Sequence, residues 1–376
     1  MKKMINKKMI VLVVFLLTCL SILGNAEEQR TVSLDETIAL AIKNSDTLSY
    51  MQTKLTKKGI DLIQAKEDIE SEKNEIKELE KEIIYTKIKI KYDVVIAYMD
   101  MVLEMEKLKD YKKTLEESKE RLSSLEKDFK IGKASKKDIE AMKQEIDGSI
   151  SNIKKSTLIF ENKKEVLGMI VGLDMKKEDD FEKDFSYKSI PKKFLENMRE
   201  YAIEHDFELY KVEQKKKREQ EKINEFVTKH EDKIVIPQEW IEGKNYGLKD
   251  VEDEGYTLIG LLLERDQAKK EEEKIKKDLE QKINNTYNQV QLLEISYLDG
   301  LEKIKKNKEA HEKAIKDNKI GKITKEELEN IKKEVEKSER ASFLNLVTYK
   351  KAVERLNLTT SGAVESLKNK FASDEL

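Results

Sequence analysis

The chain has 376 residues, of which 40% are charged and 6% aromatic, with 13 Gly and 2 Pro. That profile argues against two or three ordinary globular domains and for long helices, whose narrow apolar seams need few hydrophobic residues; disorder is the rival reading of so much charge. A net charge of −2 argues against nucleic acid as a partner, because affinity there depends on neutralising phosphates.

In chain order, Lys2, Lys3, Lys7 and Lys8 precede an apolar run from Met9 to Gly24, and Gly24-Asn25-Ala26 offers small residues to a peptidase. The pattern predicts a secretory signal over residues 1–26, with an uncleaved anchor as the alternative. Cleavage would remove the only cysteine, Cys19, and with it disulfide and thiolate chemistry. It would also remove those four lysines, leaving a more acidic mature chain.

Ser33-x-x-Glu36 reads as a capping box that opens a short helix with Leu34, Ile38, Ala41 and Ile42 on one stripe. Asn44-Ser45-Asp46 breaks it and offers a cap for the next helix. From Gly59 to Gly132 no other Gly or Pro intervenes, and Leu62, Ile69, Ile76, Ile83 and Ile90 fall seven residues apart, a seam suited to packing along a partner helix. The periodicity predicts a rod up to Phe129 and a return helix through Ile139, Met142, Ile146, Ile150 and Ile153 towards Leu167. The cluster from Gly168 to Ile190 breaks the pattern, and helix restarts near Lys192 with Phe194, Met198, Ala202 and Ile203.

Two stretches repeat one another. Asp128–Glu140 returns as Asp317–Glu329, 189 residues later, while Ala41–Asn44 matches Ala202–His205 at an offset of 161. Fixed-offset similarity predicts two copies of one unit, residues 31–172 and 190–358, followed by a tail over 359–376. The growth in offset places an insertion in the second copy at about 226–264. There Ile234-Val235-Ile236-Pro237 and Tyr256–Leu263 read as two short strands, with Trp240 either in a small local core with Ile236 and Tyr246 or on a contact surface. Helix is expected to resume by Asp266 and run to the second tip, with Leu328, Ile331, Val335, Leu346 and Val353 on the return.

Each repeated stretch closes a helix with glycine, Gly132 or Gly321, and three residues later reopens one with Ser135-x-x-Asp138 or Thr324-x-x-Glu327. A glycine stop followed at once by a hydroxyl cap is a tight turn between two helices.

These features in order resemble the TolC-like outer-membrane efflux family. The resemblance rests on the opening Leu34–Ala41, the duplicated hairpins, the two glycine tips, and Tyr349–Leu356 at the close of a repeat, with Phe160–Leu167 at the same 189-residue offset. It implies an all-α, duplicated hairpin bundle forming a homotrimeric tunnel in the cell envelope or outer membrane. It also implies that Gly132, Lys133, Ser135, Asp138, Gly321, Lys322, Thr324 and Glu327 meet a periplasmic adaptor serving an inner-membrane pump. Such a conduit has no enzymatic activity and no cofactor.

One feature departs from the family, whose members carry two membrane strands per repeat that join across three subunits. Ile69–Ile76 reads as helix in the first copy, and the second offers only the short pair described above, so no closed barrel follows. Whether the first copy turns back near residues 71–74 is left open by the pattern. Two other readings stay open: an exported coiled-coil scaffold or surface protein that no longer conducts anything, and a transport-complex accessory from an organism without an ordinary outer membrane. His205, His230 and His311 share no metal-ligand spacing. Ser373-Asp374-Glu375-Leu376 is similar to an ER-retention tail that nothing else in the chain supports.

Overall fold

The computed structural model describes residues 31–64, 69–175, 178, 180–230 and 253–367. The expected signal over 1–26, the Ile234–Pro237 strand, Trp240 with Tyr246, and the chain from residue 368 lie outside them. Helix α1 spans Leu34–Asn44, α2 Asp46–Gln64, α3 Ile69–Lys130 and α4 Lys136–Val171. An irregular segment and a 3-10 turn, Lys192–Phe194, lead to α5 (Leu195–His205), α6 (Phe207–Lys229), α7 (Asp253–Lys319), α8 (Lys325–Thr359) and the short α9 (Ala363–Ser366). Among the described residues no strand forms; Val32 and Phe181 make one isolated parallel bridge. The fold is all-α, as the composition predicts. No described helix is long and apolar enough to cross a membrane.

Local chemistry explains the breaks. The Ser33 hydroxyl accepts from Glu36 N at 3.2 Å and starts α1. Ser45 caps α2 by accepting from Leu48 N at 3.2 Å, and Asp206 does the same for α6 through Leu209 N at 2.8 Å. With no Gly or Pro to interrupt it, α3 runs for 62 residues; α7 runs for 67 with no Pro, carrying Gly255, Gly260 and Gly300 within the helix. At 1.5 Å per residue these are about 93 and 100 Å.

The chain reverses between Gln64 and Ile69, before Ser71–Asn74, so Leu62 belongs to α2 and the rest of the heptad series to α3. The two helices run back to back: Leu48 packs with Leu79 and Ile83, and Lys58 pairs with Glu72 at 3.3 Å and Glu75 at 2.6 Å. An even heptad seam crossed this reversal without a mark, because both helices present the same spacing to each other.

The strand expected at Tyr256–Leu263 is instead the first turns of α7, which begins at Asp253 rather than near Asp266. A short apolar run cannot distinguish strand from buried helix by periodicity. The burial settles it: Leu258 and Leu262, four residues apart, are buried against Ile223 of α6, while Tyr256 and Leu263 are exposed.

The four long helices lie in the order α4, α3, α8, α7, each packed on the next. One core joins Val94, Tyr98, Met101 and Val102 of α3 to Phe160, Leu167 and Val171 of α4. The other joins Tyr287 and Val290 of α7 to Tyr349, Ala352 and Leu356 of α8. Each Val, Leu, Met or Phe side chain among them, fully buried, contributes roughly 1.5–3 kcal/mol.

The segment between the halves is fastened by tyrosines. Tyr98 donates its hydroxyl to the carbonyls of Val32 (2.6 Å) and Glu182 (3.0 Å). Tyr349 donates to Lys188 O at 2.7 Å and Tyr287 to Ile190 O at 3.2 Å. Where the halves meet, Asp100 of α3 binds Lys163 of α4 at 3.2 Å and Lys351 of α8. Farther along, Asp110 meets Arg340 at 3.1 Å and Lys113 meets Glu336 at 2.7 Å.

Candidate docking tips

Both glycine tips are turns between antiparallel helices, α3 to α4 and α7 to α8. Gly132 takes φ +75° and Gly321 φ +73°, the left-handed region that a side chain disfavours. Around each, the same pair of bonds closes the helix. Gly132 N donates to Phe129 O (3.0 Å) and Lys133 N to Asp128 O (2.8 Å); Gly321 N donates to Asn318 O (3.0 Å) and Lys322 N to Asp317 O (2.8 Å). This is the Schellman arrangement, which satisfies carbonyls that the helix end would otherwise leave open.

The next helix starts with a reciprocal box. Ser135 Oγ accepts from Asp138 N at 3.2 Å while Ser135 N donates to Asp138 Oδ2 at 2.8 Å. Thr324 Oγ1 accepts from Glu327 N at 3.1 Å while Thr324 N donates to Glu327 Oε2 at 2.7 Å. The shorter Asp thus serves where Glu is usual. Main-chain and hydroxyl bonds from Ser135 hold the Asp138 carboxyl below its ordinary range, and Thr324 does the same to Glu327. Asn318 adds a bond in the second tip alone, donating to Ile323 O at 3.0 Å.

All eight candidate residues therefore sit at the turns, four at each. Their apolar neighbours carry no motif of their own. Ile131 and Ile320 stand at matching positions beside the glycines with 65% and 66% of their surface exposed. The 189-residue offset was the available signal for this pair.

The tips point the same way. Lys113 lies about 26 Å short of the end of α3 and Glu336 about 17 Å into α8. That contact, with Asp110 meeting Arg340 farther from both turns, shows α3 and α8 antiparallel and sets the two turns at one end of the molecule. The tips display lysines (Lys133, Lys136, Lys322, Lys325) around an isoleucine, and no buried acid, base or nucleophile accompanies them.

Solved structures share the overall fold. The Campylobacter jejuni CmeC outer membrane channel superposes with a TM-score of 0.61 at 12% identity, covering 93% of this chain and 94% of that one. The fold is that of the TolC-like outer-membrane channels. The open-state Neisseria gonorrhoeae MtrE outer membrane channel gives 0.58 at 10% identity, over 91% of this chain and 94% of that one. The outer-membrane channel OprN gives 0.59 at 10% identity, over 88% and 90%. No family model matches the chain, and no curated protein matches it. At these identities the likeness is one of fold.

Within this TolC-like row of helices, α4 and α7 form the two flanks. On α4, Leu158, Val166 and Met169 are exposed along one stripe, and on α7, Leu292, Ile295 and Leu298 are exposed three residues apart. Two of the three histidines have local partners: His205 Nδ1 lies 2.9 Å from Tyr201 O, and His230 Nδ1 2.9 Å from Phe226 O. Among the described residues no three His, Cys, Asp or Glu side chains converge on a metal position.

Proposed function

We propose that this protein is a non-enzymatic conduit component of an efflux or secretion complex in the cell envelope. It assembles as a homotrimer of helical hairpins and meets an adaptor protein through both tips. Residues 31–172 and 190–358 are the two copies of its hairpin unit. The observation that carries this reading is the placing of two matched, exposed glycine tips at one end of a fold otherwise found in outer membrane channels.

The flanks support the trimer. A row of helices with apolar residues on α4 at one edge and α7 at the other offers two different surfaces, and joining unlike surfaces generates a closed ring when the rotation closes. The adaptor reading is tested by Gly132→Pro and Gly321→Pro. Proline removes the N–H that bonds Phe129 O or Asn318 O and cannot adopt positive φ. Adaptor-dependent export is expected to be lost with circular dichroism nearly unchanged; full export by both variants would refute tip docking.

A second reading, an exported helical scaffold without channel activity, draws on one observation. The first half leaves only residues 65–68 between two helices, where TolC-like channels carry membrane strands. An export assay that failed even for the unaltered chain beside its cognate pump would favour the scaffold.

A further inference from the structure

On the reading that the tips dock a partner, we propose that this partner is a protein with an acidic surface, offering each tip carboxylates beside an apolar pocket. Each tip holds an isoleucine and two lysines suited to such a surface: Ile131, Lys133 and Lys136 on the first, Ile320, Lys322 and Lys325 on the second. The three positions recur at the 189-residue offset, and all six side chains are exposed. Neighbouring positions differ between the copies: Phe129 is matched by Asn318, and Lys137 by Glu326.

The turns do not require these lysines, since glycine at positive φ and the capping boxes already form them. Lys136 and Lys325 are the first residues of α4 and α8, where the positive end of the helix dipole opposes a cation. Ion pairs within the chain do not account for them either. Lys136 lies 3.6 Å from Glu140, both largely exposed, and Lys133, Lys322 and Lys325 have no ion-pair partner among the described residues. Residues 127–138 and 316–327 together hold nine lysines and five carboxylates, in a chain where 76 acidic residues outnumber 74 basic ones. Two of those five, Asp138 and Glu327, are taken up by the main chain of Ser135 and Thr324.

Carboxylates on a partner complement this excess and steer its approach, while the two isoleucines supply apolar area to bury. A lipid surface fits less well. Interfacial binding takes a continuous apolar face, whereas Ile131 and Ile320 stand on separate turns. Lipid phosphates would also repel the five carboxylates set among the lysines. A protein surface can match both signs in register.

The test measures binding of the full chain to a synthetic helical-hairpin peptide with leucines at its turn and glutamates beside them; a copy with glutamine for glutamate is the control. The glutamate peptide is expected to bind, about tenfold more weakly when salt rises from about 50 to about 300 mM. Lys133→Glu, Lys136→Glu, Lys322→Glu and Lys325→Glu combined should weaken it by about tenfold or more at low salt, and the four Arg replacements should keep it. Thermal unfolding of the charge-reversed chain should be no earlier, because a carboxylate at the first helical position suits the dipole. Absent binding, equal binding of the glutamine peptide, or unchanged binding by the charge-reversed chain would overturn the proposal. So would lysine-dependent binding to vesicles of phosphatidylcholine and phosphatidylglycerol that exceeds binding to the peptide. Adaptor-dependent export separates the two readings. Export lost with Gly132→Pro and Gly321→Pro but kept by the charge-reversed chain would overturn the acidic partner and leave tip docking standing.

Discussion

Tyr98 and Tyr287 stand 189 residues apart, each buried on the third helix of its half, and each gives its hydroxyl to the main chain that leads into that half. Burial pushes the Tyr98 hydroxyl well above the phenol range and Tyr287 up to about 12, so both remain donors at any ordinary pH. Tyr98→Phe leaves the Glu182 carbonyl without that donor, and the expected loss is about 1–3 kcal/mol by urea unfolding. Tyr287→Phe should cost less, because Gln291 Nε2 also donates to Ile190 O at 3.3 Å. At the tips, Gly132→Ala meets no atom within 4 Å, so its penalty is backbone strain alone. About 1–2 kcal/mol is expected, seen as faster amide exchange at Lys133 than elsewhere in the turn. These tip residues were legible in the sequence because glycine and the capping box act locally. The partners of Tyr98 lie 66 and 84 residues away, and no local pattern announces a bond to a distant carbonyl.

Among elements, α4, α8 and the tip end of α3 were read correctly from apolar spacing and caps, whereas the starts of α3 and α7 were not. Tyr256–Leu263 carries β-prone residues, and their fate was decided by Ile223 on a helix more than thirty residues earlier. The contact between the halves was equally invisible, since ion pairs such as Asp110–Arg340 resemble any other charges on a Lys- and Glu-rich helix. Each exposed pair contributes less than about 1 kcal/mol, which makes Asp100 the informative one. Burial alone would raise its carboxyl, but the ammonium groups of Lys351 and Lys163 outweigh that and hold it below the ordinary value. A depressed acid contributes stability that is present above its unfolded pKa, about 3.9, and lost as pH falls through the folded value. Acidification below about pH 4 is therefore expected to loosen α8 from α3, and Asp100→Asn should remove that pH dependence near Lys351, while the Lys113–Glu336 pair farther along, whose carboxyl Lys113 also holds down, keeps its own. Amide exchange near Lys351, followed against pH, measures it; an identical profile in the variant would exclude Asp100 as the source.

At the scale of the whole molecule, the flanking stripes lead to a prediction about assembly. Leu158→Glu combined with Met169→Glu places two charges on an exposed face of α4 that no described neighbour covers. The variant should stay helical and become monomeric in light scattering, whereas persistence of trimers would move the contact elsewhere. The girdle between the halves carries a different implication. The hydroxyls of Tyr98 and Tyr349 take hold of the carbonyls of Val32, Glu182 and Lys188, and a carbonyl is common to all twenty amino acids. Exposed positions such as Glu182 and Lys188 can therefore drift without loosening the clasp. A scaffold held in this manner can keep its shape while most of its letters are rewritten.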